Sequence, residues 1–408
     1  MIGAWHLMFV CVFWAALVLT VYIYLGYPMW MYLRSRLHPR KWRQAAITPS
    51  VSVILAVYNG AAVLRQRIDQ LLSLDYRRNL MEIIVVSDGS TDGTGDILTS
   101  LGQATVKPIL FPERRGKAAA VNCGIQHATG DILLFVDIRP QLDRSALAFL
   151  LSNFADPNVG CATGELVLRD DGDDQGAKLV GGLYWRYEQW IRKCESQVDS
   201  PLGVFGGFYA IRRNLARALP EATILDDMLQ PLSVVRQGYR SVLDCRALVY
   251  DVWPKTLKGE FTRKVRTLAG NFQLVQLAPW LLSGENRLRF ELISHKLLRL
   301  FVPLLLALLL GTSALLASRS QWYAIVLVVQ LFLYAIATFG ASRRFPMLAR
   351  IAAAARAFCM MNLAVVIGFE KFLFTQGPLW KIWIPSANFQ APTSVERDEA
   401  SKAAAAGA

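Results

Sequence analysis

Val51-Ser52-Val53-Ile54-Leu55-Ala56-Val57-Tyr58 is a near-continuous apolar run rich in β-branched residues, the pattern of a strand buried on both faces. A helical pattern follows it (AVLRQRIDQLLSL, 62–74). Three further short apolar runs come next: MEIIVV (81–86), VKPILF (106–111) and DILLFV (131–136). Strands alternating with helices of this length predict βαβ units, hence an α/β domain with a mostly parallel sheet. In such sheets ligands bind beyond the carboxyl ends of the strands. The polar residues stand there: Tyr58-Asn59 after the first run, Ser87-Asp88-Gly89-Ser90 after the second and Asp137 after the fourth.

Outside this block the chain is of another kind. Of its 408 residues 54% are hydrophobic and only 18% charged, with a mean hydropathy of +0.32. A disordered, fibrous or purely soluble chain does not have that composition. From Trp5 to Trp30 it is almost wholly apolar, and RSRLHPRKWR follows without an acid. About 20 apolar residues span a bilayer, and basic residues mark the cytoplasmic flank. The segment predicts a membrane anchor rather than a cleaved signal peptide. Three more spans are expected near 298–317, 322–340 and 352–374, the last carrying Arg356, Asn362 and Glu370. Polar groups inside a span usually face the bundle interior. The expected organisation is therefore an anchor (1–32), a cytoplasmic catalytic block (47–254), amphipathic interfacial helices (255–297), three transmembrane helices (298–376) and a tail (377–408). The expected placement is multi-pass in the inner (plasma) membrane.

The net charge of +13 sits beside the apolar segments, while 47–254 is slightly acidic at −3. A nucleic-acid binder would carry its excess on the folded domain. Membrane lipids or an anionic ligand fit the distribution, and no nucleic-acid partner is expected. The six cysteines have neither CxxC nor metal-ligand spacing, so they read as small apolar residues. The acidic run DDGDD (170–174) lacks the spacing of a calcium loop and reads as a solvated loop. The aromatic stripe Tyr184, Trp185, Tyr187 and Trp190 on a helical pattern fits core packing, and stacking on a sugar face is the alternative.

No phosphate-loop, dinucleotide, zinc-protease or serine-hydrolase motif is present. What stands out is carboxylates: Asp88 and Asp137 at strand ends, and Asp226 and Asp227 opening an amphipathic helix (LDDMLQPLSVVRQGYR). Each alone could be a turn former or a helix cap. Together at one sheet edge they suggest metal-assisted chemistry on a phosphorylated substrate.

The ordered series VSVILAVYNG, IIVVSDGSTDGT, RRGKAAAVNCGI, GDILLFVD, GVFGGFYAIRR and LDDMLQPLSVVRQGYR resembles family 2 glycosyltransferases of the GT-A fold. The flanking helices are similar to the membrane-integrated branch that makes hyaluronan, chitooligosaccharides, poly-N-acetylglucosamine and cellulose. The resemblance covers about 50–300. It implies a GT-A catalytic domain that binds a nucleotide sugar through Tyr58, Asn59, Asp88, Lys117, Asp137, Arg263 and Arg266. Asp88 would meet the uridine, and Asp137 would bind the diphosphate through Mg²⁺ or Mn²⁺. Leu225-Asp226-Asp227 stands where the family has T-E-D, which makes Asp227 the general base beside Asp226. Arg266 matches the arginine of Q-x-x-R-W that meets the leaving diphosphate.

Three departures accompany it. The D-x-D is Asp137-Ile138-Arg139, T-E-D is L-D-D, and the tryptophan of Q-x-x-R-W is Thr267. The implied function is inverting transfer from a UDP-sugar, N-acetylglucosamine or glucose, to a growing extracellular polysaccharide. The alternative is a single transfer to a lipid-linked acceptor. A non-catalytic membrane scaffold is opposed by the retained acids.

Overall fold

The computed structural model describes residues 2–101, 106–169, 175–252, 257–341 and 345–382. The acidic run 170–174 lies outside the described residues. The four expected strands are present as β1 (Val51–Val57), β2 (Met81–Asp88), β3 (Val106–Phe111) and β4 (Ile132–Val136). β1 pairs in parallel with β2 on one side and β4 on the other, so that Val53 faces both Ile83 and Leu134. β3 adds in parallel outside β2. Four more strands extend the sheet: β5 (Gln141–Leu142), β6 (Val159–Arg169), β7 (Phe208–Arg212) and β8 (Arg240–Val252). The order is β3-β2-β1-β4-β7-β6-β8-β5, and β7 runs antiparallel to both its neighbours.

Alternate residues of a strand face opposite sides, and the core divides accordingly. Val53, Leu55 and Val57 pack with Leu64, Ile68 and Leu71 of α3 (Ala61–Leu72), with Leu98 of α4 (Thr94–Ser100) and with other apolar residues of that face. Ile54, Ile84 and Phe135 on the reverse face meet Ala118, Ala120 and Val121 of α5 (Lys117–His127). The short helix α6 (Ala146–Ser152) lies with the first group through Ala146, Leu147 and Leu150. Both faces of β1, β2 and β4 are covered, which is why they read as near-continuous apolar runs, whereas β3 at the sheet edge is largely exposed. Their carboxyl ends share one edge.

Helix α7 (Gln175–Val198) and helix α8 (Asp226–Arg236) flank the mixed half, and α9 (Leu257–Leu277) leads toward the apolar helices. The N-terminal segment is α1 (Ile2–Val21), a π-helical turn and α2 (Tyr27–Leu37). After α9 come α10 (Arg289–Glu291), α11 (Leu298–Leu300), α12 (Val302–Leu316), α13 (Gln321–Phe339) and α14 (Pro346–Phe374). Among the described residues, Trp5–Leu37, Gln321–Phe339 and Met347–Phe374 are long and apolar enough to cross a membrane. The expected span 298–317 differs. Arg289–Leu300 and Val302–Leu316 meet at a 57° bend and make a fourth span only if taken together. Pro303, in the first turn of α12, has no amide hydrogen to continue the preceding helix but suits the start of a new one. On α14, Arg356 Nε donates to the Ala337 carbonyl of α13 at 3.0 Å, so this polar group does face the bundle. Gly368 lets α14 close on α9: a Cβ there would lie 3.0 Å from the Ala269 nitrogen.

A buried charge network joins α2 to α7 and to the segment before α12. Tyr27 Oη donates to Glu195 of α7 at 2.7 Å, and His295 Nδ1 lies 2.6 Å from the same carboxylate. Glu188, one turn pair earlier on α7, takes Lys296 at 3.2 Å and pairs with Arg299. Removing one partner of a buried pair strands the other charge. Glu188→Gln is therefore expected to destabilise the protein by about 3–5 kcal/mol. Glu285→Gln, which removes an exposed partner of Arg236, should cost about 1 kcal/mol or less. Thermal unfolding of the two variants in one detergent checks the contrast.

Candidate active site

The site is assembled at the strand ends. Asn59, directly after β1, has φ +49°, a left-handed conformation that asparagine tolerates better than most residues. In that pose its Oδ1 accepts the Thr91 amide at 2.9 Å, and its own amide donates to Ser90 Oγ at 3.1 Å. The β1 and β2 loops are thus fastened together. Asp88 is buried at the end of β2. Its carboxylate accepts the amides of Arg115 at 2.6 Å and Gly116 at 2.9 Å, which fixes the start of α5. Gly89 (φ +65°) makes this possible, since a Cβ there would sit 2.3 Å from the Arg114 nitrogen. The Asp88 carboxylate is bonded to backbone, and through it the start of α5, and so Lys117, is placed.

Lys117 begins α5 and reaches two acids from distant parts of the chain. Its ammonium lies 3.0 Å from Asp137 Oδ1 and 3.1 Å from Asp226 Oδ2. Partial desolvation at the cleft wall works against its charge, but Asp137 and then Asp226 outweigh it, and the pKa is raised. Neither Asp226 nor Asp227 caps α8. Leu225 holds the cap position without a side-chain bond, and the two acids form the first turn. Carboxylates there are favoured by the helix dipole. The cap reading of these acids does not hold.

Asp226 is buried against Lys117, whereas Asp227 lies beside Gly206, where a Cβ would stand 3.4 Å from its Oδ2. Burial, and then the charge of Asp226, push the Asp227 carboxyl up to about 6. Lys117, Arg192 and Arg266 pull the other way. A raised carboxyl binds its proton more tightly when folded than its ordinary 3.8 when unfolded. Ionised Asp227 therefore costs stability in full above about pH 6, and the cost fades as pH falls from about 6 to about 4. The expected result is that Asp227→Asn melts higher than the wild type at pH 7.5 and equal to it near pH 4. Melting curves across that window check the sign.

The remaining expected residues divide. Arg266 is exposed on α9, and its charge is felt at Asp227. Arg263 on the same helix is instead held by Glu260 through two bonds of 2.8 and 2.9 Å. Tyr58 does not face open solvent alone: the Arg114 guanidinium lies 4.1 Å over its ring and 5.1 Å from that of Trp380. The aromatic stripe of α7 serves packing. Tyr187 Oη donates to the Tyr24 carbonyl at 2.7 Å, and Trp190 lies 5.8 Å from the Tyr32 ring.

Several site residues had escaped the sequence reading. Arg192 of α7 acts on Asp227. Arg67, 3% exposed, donates to the Pro140 carbonyl at 2.5 Å beneath the Asp137–Pro140 turn. Asp251 lies near the end of β8 next to Tyr250, which pairs with Gln141, and Arg139 acts on its carboxyl. Only the motif-borne Arg114 had a local signal, in RRGK.

Among the described residues no group of three or more His, Cys, Asp or Glu side chains converges to hold a metal. Asp137 offers one carboxylate, two-fifths exposed to the cleft. Mg²⁺-type ions are commonly held by one or two carboxylates together with substrate phosphates and water. The donor set fits a cation that arrives with a diphosphate.

A parallel sheet that turns mixed after β4, with acids gathered at its carboxyl edge, is the architecture of GT-A nucleotide-sugar-dependent glycosyltransferases. Residues 52–219 match the family model described as glycosyl transferase family 2, and the catalytic block is a family 2 glycosyltransferase domain. The chain is 25% identical over 232 residues to the poly-beta-1,6-N-acetyl-D-glucosamine synthase of Staphylococcus aureus, covering 55% of each. It is also 25% identical over 269 residues to the probable glycosyltransferase YdaM of Bacillus subtilis, covering 62% of this chain and 63% of that one. The matches thus span little more than half the length of these curated relatives. A mannosyltransferase of Pyrobaculum calidifontis, solved with GDP-Man and Mn²⁺, superposes with a TM-score of 0.68 at 24% identity. That match covers 89% of this chain and 99% of that one, and it establishes the GT-A fold.

Proposed function

We propose that this protein is an inverting membrane glycosyltransferase that uses a UDP-sugar, N-acetylglucosamine or glucose, to extend an extracellular polysaccharide. The observation that carries the reading is the pair of unlike acids on α8: Asp226 tied to Lys117 and Asp227 left free with a raised pKa. An inverting transfer needs a base for the acceptor hydroxyl and positive charge at the departing diphosphate. Asp227 takes the hydroxyl proton. Lys117 and Arg266 hold the diphosphate side, Asn59 and Asp88 shape the loops that receive the nucleoside, and Tyr58 offers a ring face. Asp137 would hold a Mg²⁺ or Mn²⁺ ion, which supplies further charge neutralisation to the diphosphate when bound. The 25% identity to a poly-N-acetylglucosamine synthase supports the polymer reading.

One observation favours a second reading, single transfer to a lipid-linked acceptor. Thr267 stands where the polymer synthases carry an acceptor-stacking tryptophan, and its hydroxyl bonds back to the Arg263 carbonyl at 3.1 Å. Purified protein should release UDP from UDP-N-acetylglucosamine or UDP-glucose and stop in excess EDTA. Product sizing then separates a ladder from a single glycolipid. Turnover of GDP-mannose alone would refute the donor assignment, and no turnover of any nucleotide sugar would refute the reading as a whole.

The proposed placement is an inner-membrane protein with a cytoplasmic catalytic domain and an outward C-terminus. The basic flank after Trp30 supports it. A reporter fused to the C-terminus is expected to be active only on the outer face. Cytoplasmic activity would mean that the bent pair or α14 does not cross.

A further inference from the structure

The cleft holds a fixed cation at the place where a mobile one is needed. Lys117 stands between Asp137 and Asp226 at nearly equal distances, 3.0 and 3.1 Å. The two acids are not equivalent. Asp226 has 8% of its side chain exposed, while Asp137 and Lys117 have 40% and 42%. A buried carboxylate needs a permanent partner, because an unpaired buried charge is costly. An exposed carboxylate can exchange one cation for another. The anchor of the lysine is also rigid: Asp88 holds Arg115 and Gly116 at the start of α5, so Lys117 always arrives at the same point. The D-x-D departure completes the picture. With Ile138 turned against Gly60 and Arg139 in the third place, Asp137 alone competes for a metal, and it does so against an ammonium already in contact.

We propose that Lys117 is a built-in counter-cation that occupies Asp137 in the donor-free enzyme and excludes a divalent metal until a nucleotide diphosphate arrives with it. This inference rests on the reading of Asp137 as the metal contact. When the diphosphate is present its oxygens supply the ligands that Asp137 lacks, Lys117 keeps its bond to Asp226, and its contact with Asp137 is given up. Metal and nucleotide binding are then strongly and reciprocally coupled, as linkage requires. The chemistry also orders the events: metal does not load the empty site, so no positive charge accumulates beside Arg139 and Arg266 before the substrate brings its negative charge.

The test is a titration of Mn²⁺ into the full-length protein in detergent, followed by loss of the free-ion electron paramagnetic resonance signal, with and without UDP. The wild type is expected to bind Mn²⁺ at least about tenfold more tightly with UDP than without, within the usual range of coupling between sites. Lys117→Gln should bind Mn²⁺ without UDP about tenfold or more tightly than the wild type. Lys117→Arg, which retains the charge, should exclude the ion as the wild type does. Because Lys117→Gln leaves Asp226 buried and unpaired, Lys117→Met combined with Asp226→Asn removes both partners and frees Asp137 without stranding a charge. Equal nucleotide-free affinity of the wild type and both freed variants would overturn the proposal, as would a wild type that binds Mn²⁺ equally well with and without UDP. The titration needs no turnover. A failure of the glycosyltransferase reading would show instead as absent UDP release, so the two failures are distinguishable.

Discussion

Asp227→Asn is expected to lower sugar transfer by roughly 10²- to 10⁴-fold, the usual contribution of a general base, while UDP binding stays within about twofold of the wild type. The asparagine is nearly isosteric and sits in the first turn of α8, where no cap bond is lost. It cannot take a proton from a hydroxyl. The same replacement removes the repulsion between Asp227 and Asp226, so the variant is expected to fold at least as well as its parent. Loss of activity with gain of stability is a signature that a structural role would not give. Asp226→Asn should differ in kind: it releases Lys117, and the defect should appear mainly as weaker donor binding. In the wild type, the acid limb of kcat/KM should fall near pH 6, where Asp227 takes up its proton. Retention of more than about a tenth of the activity by Asp227→Asn, well short of a base's usual contribution, would exclude it as the base.

Arg266→Ala is expected to cost roughly 10²- to 10³-fold in kcat, the scale seen when one charge-stabilising donor is removed from a transfer site. The side chain is exposed on α9, whose apolar face is held by Val265 and Ala269, so the helix itself should survive the change. Arg266→Lys keeps the charge but not the planar fork, and it should recover part of the rate. Arg263→Ala is the comparison. Its guanidinium is already engaged by Glu260, and a small effect there would separate the two arginines that the sequence motif alone does not distinguish.

The parallel half of the fold was legible because burial on both faces leaves a mark in one dimension. A strand such as Val51–Val57 is apolar at every position but Ser52, whose hydroxyl is satisfied by Glu82, and the polar residues that meet the cleft follow its end. The acids of the site were legible for the same reason. Their wiring was not. Lys117 finds Asp137 and Asp226, and Arg192 acts on Asp227, only because the sheet order and the packing of α7 and α8 bring them together. The mixed half carries less local signal: β8 is buried at its start and partly exposed toward its end at Val252, so its pattern changes along its length. The bend before α12 shows the opposite failure. Hydropathy sees a span through 298–317 with Arg299 near its start, while one proline in the first turn of a helix redirects the backbone. Helix caps differ for a related reason: two acids at a helix start suggest a cap, yet the cap position belongs to Leu225, and the acids turn to the cleft, Asp226 onto Lys117.

The most direct test of the account is the anomeric configuration of the sugar in the first product formed from an α-linked UDP-sugar, read by NMR. Direct displacement, with Asp227 deprotonating the acceptor as it attacks from the face opposite the diphosphate, gives a β-linked product. An α-linked product would require retention of configuration, and it would contradict the role assigned to Asp227.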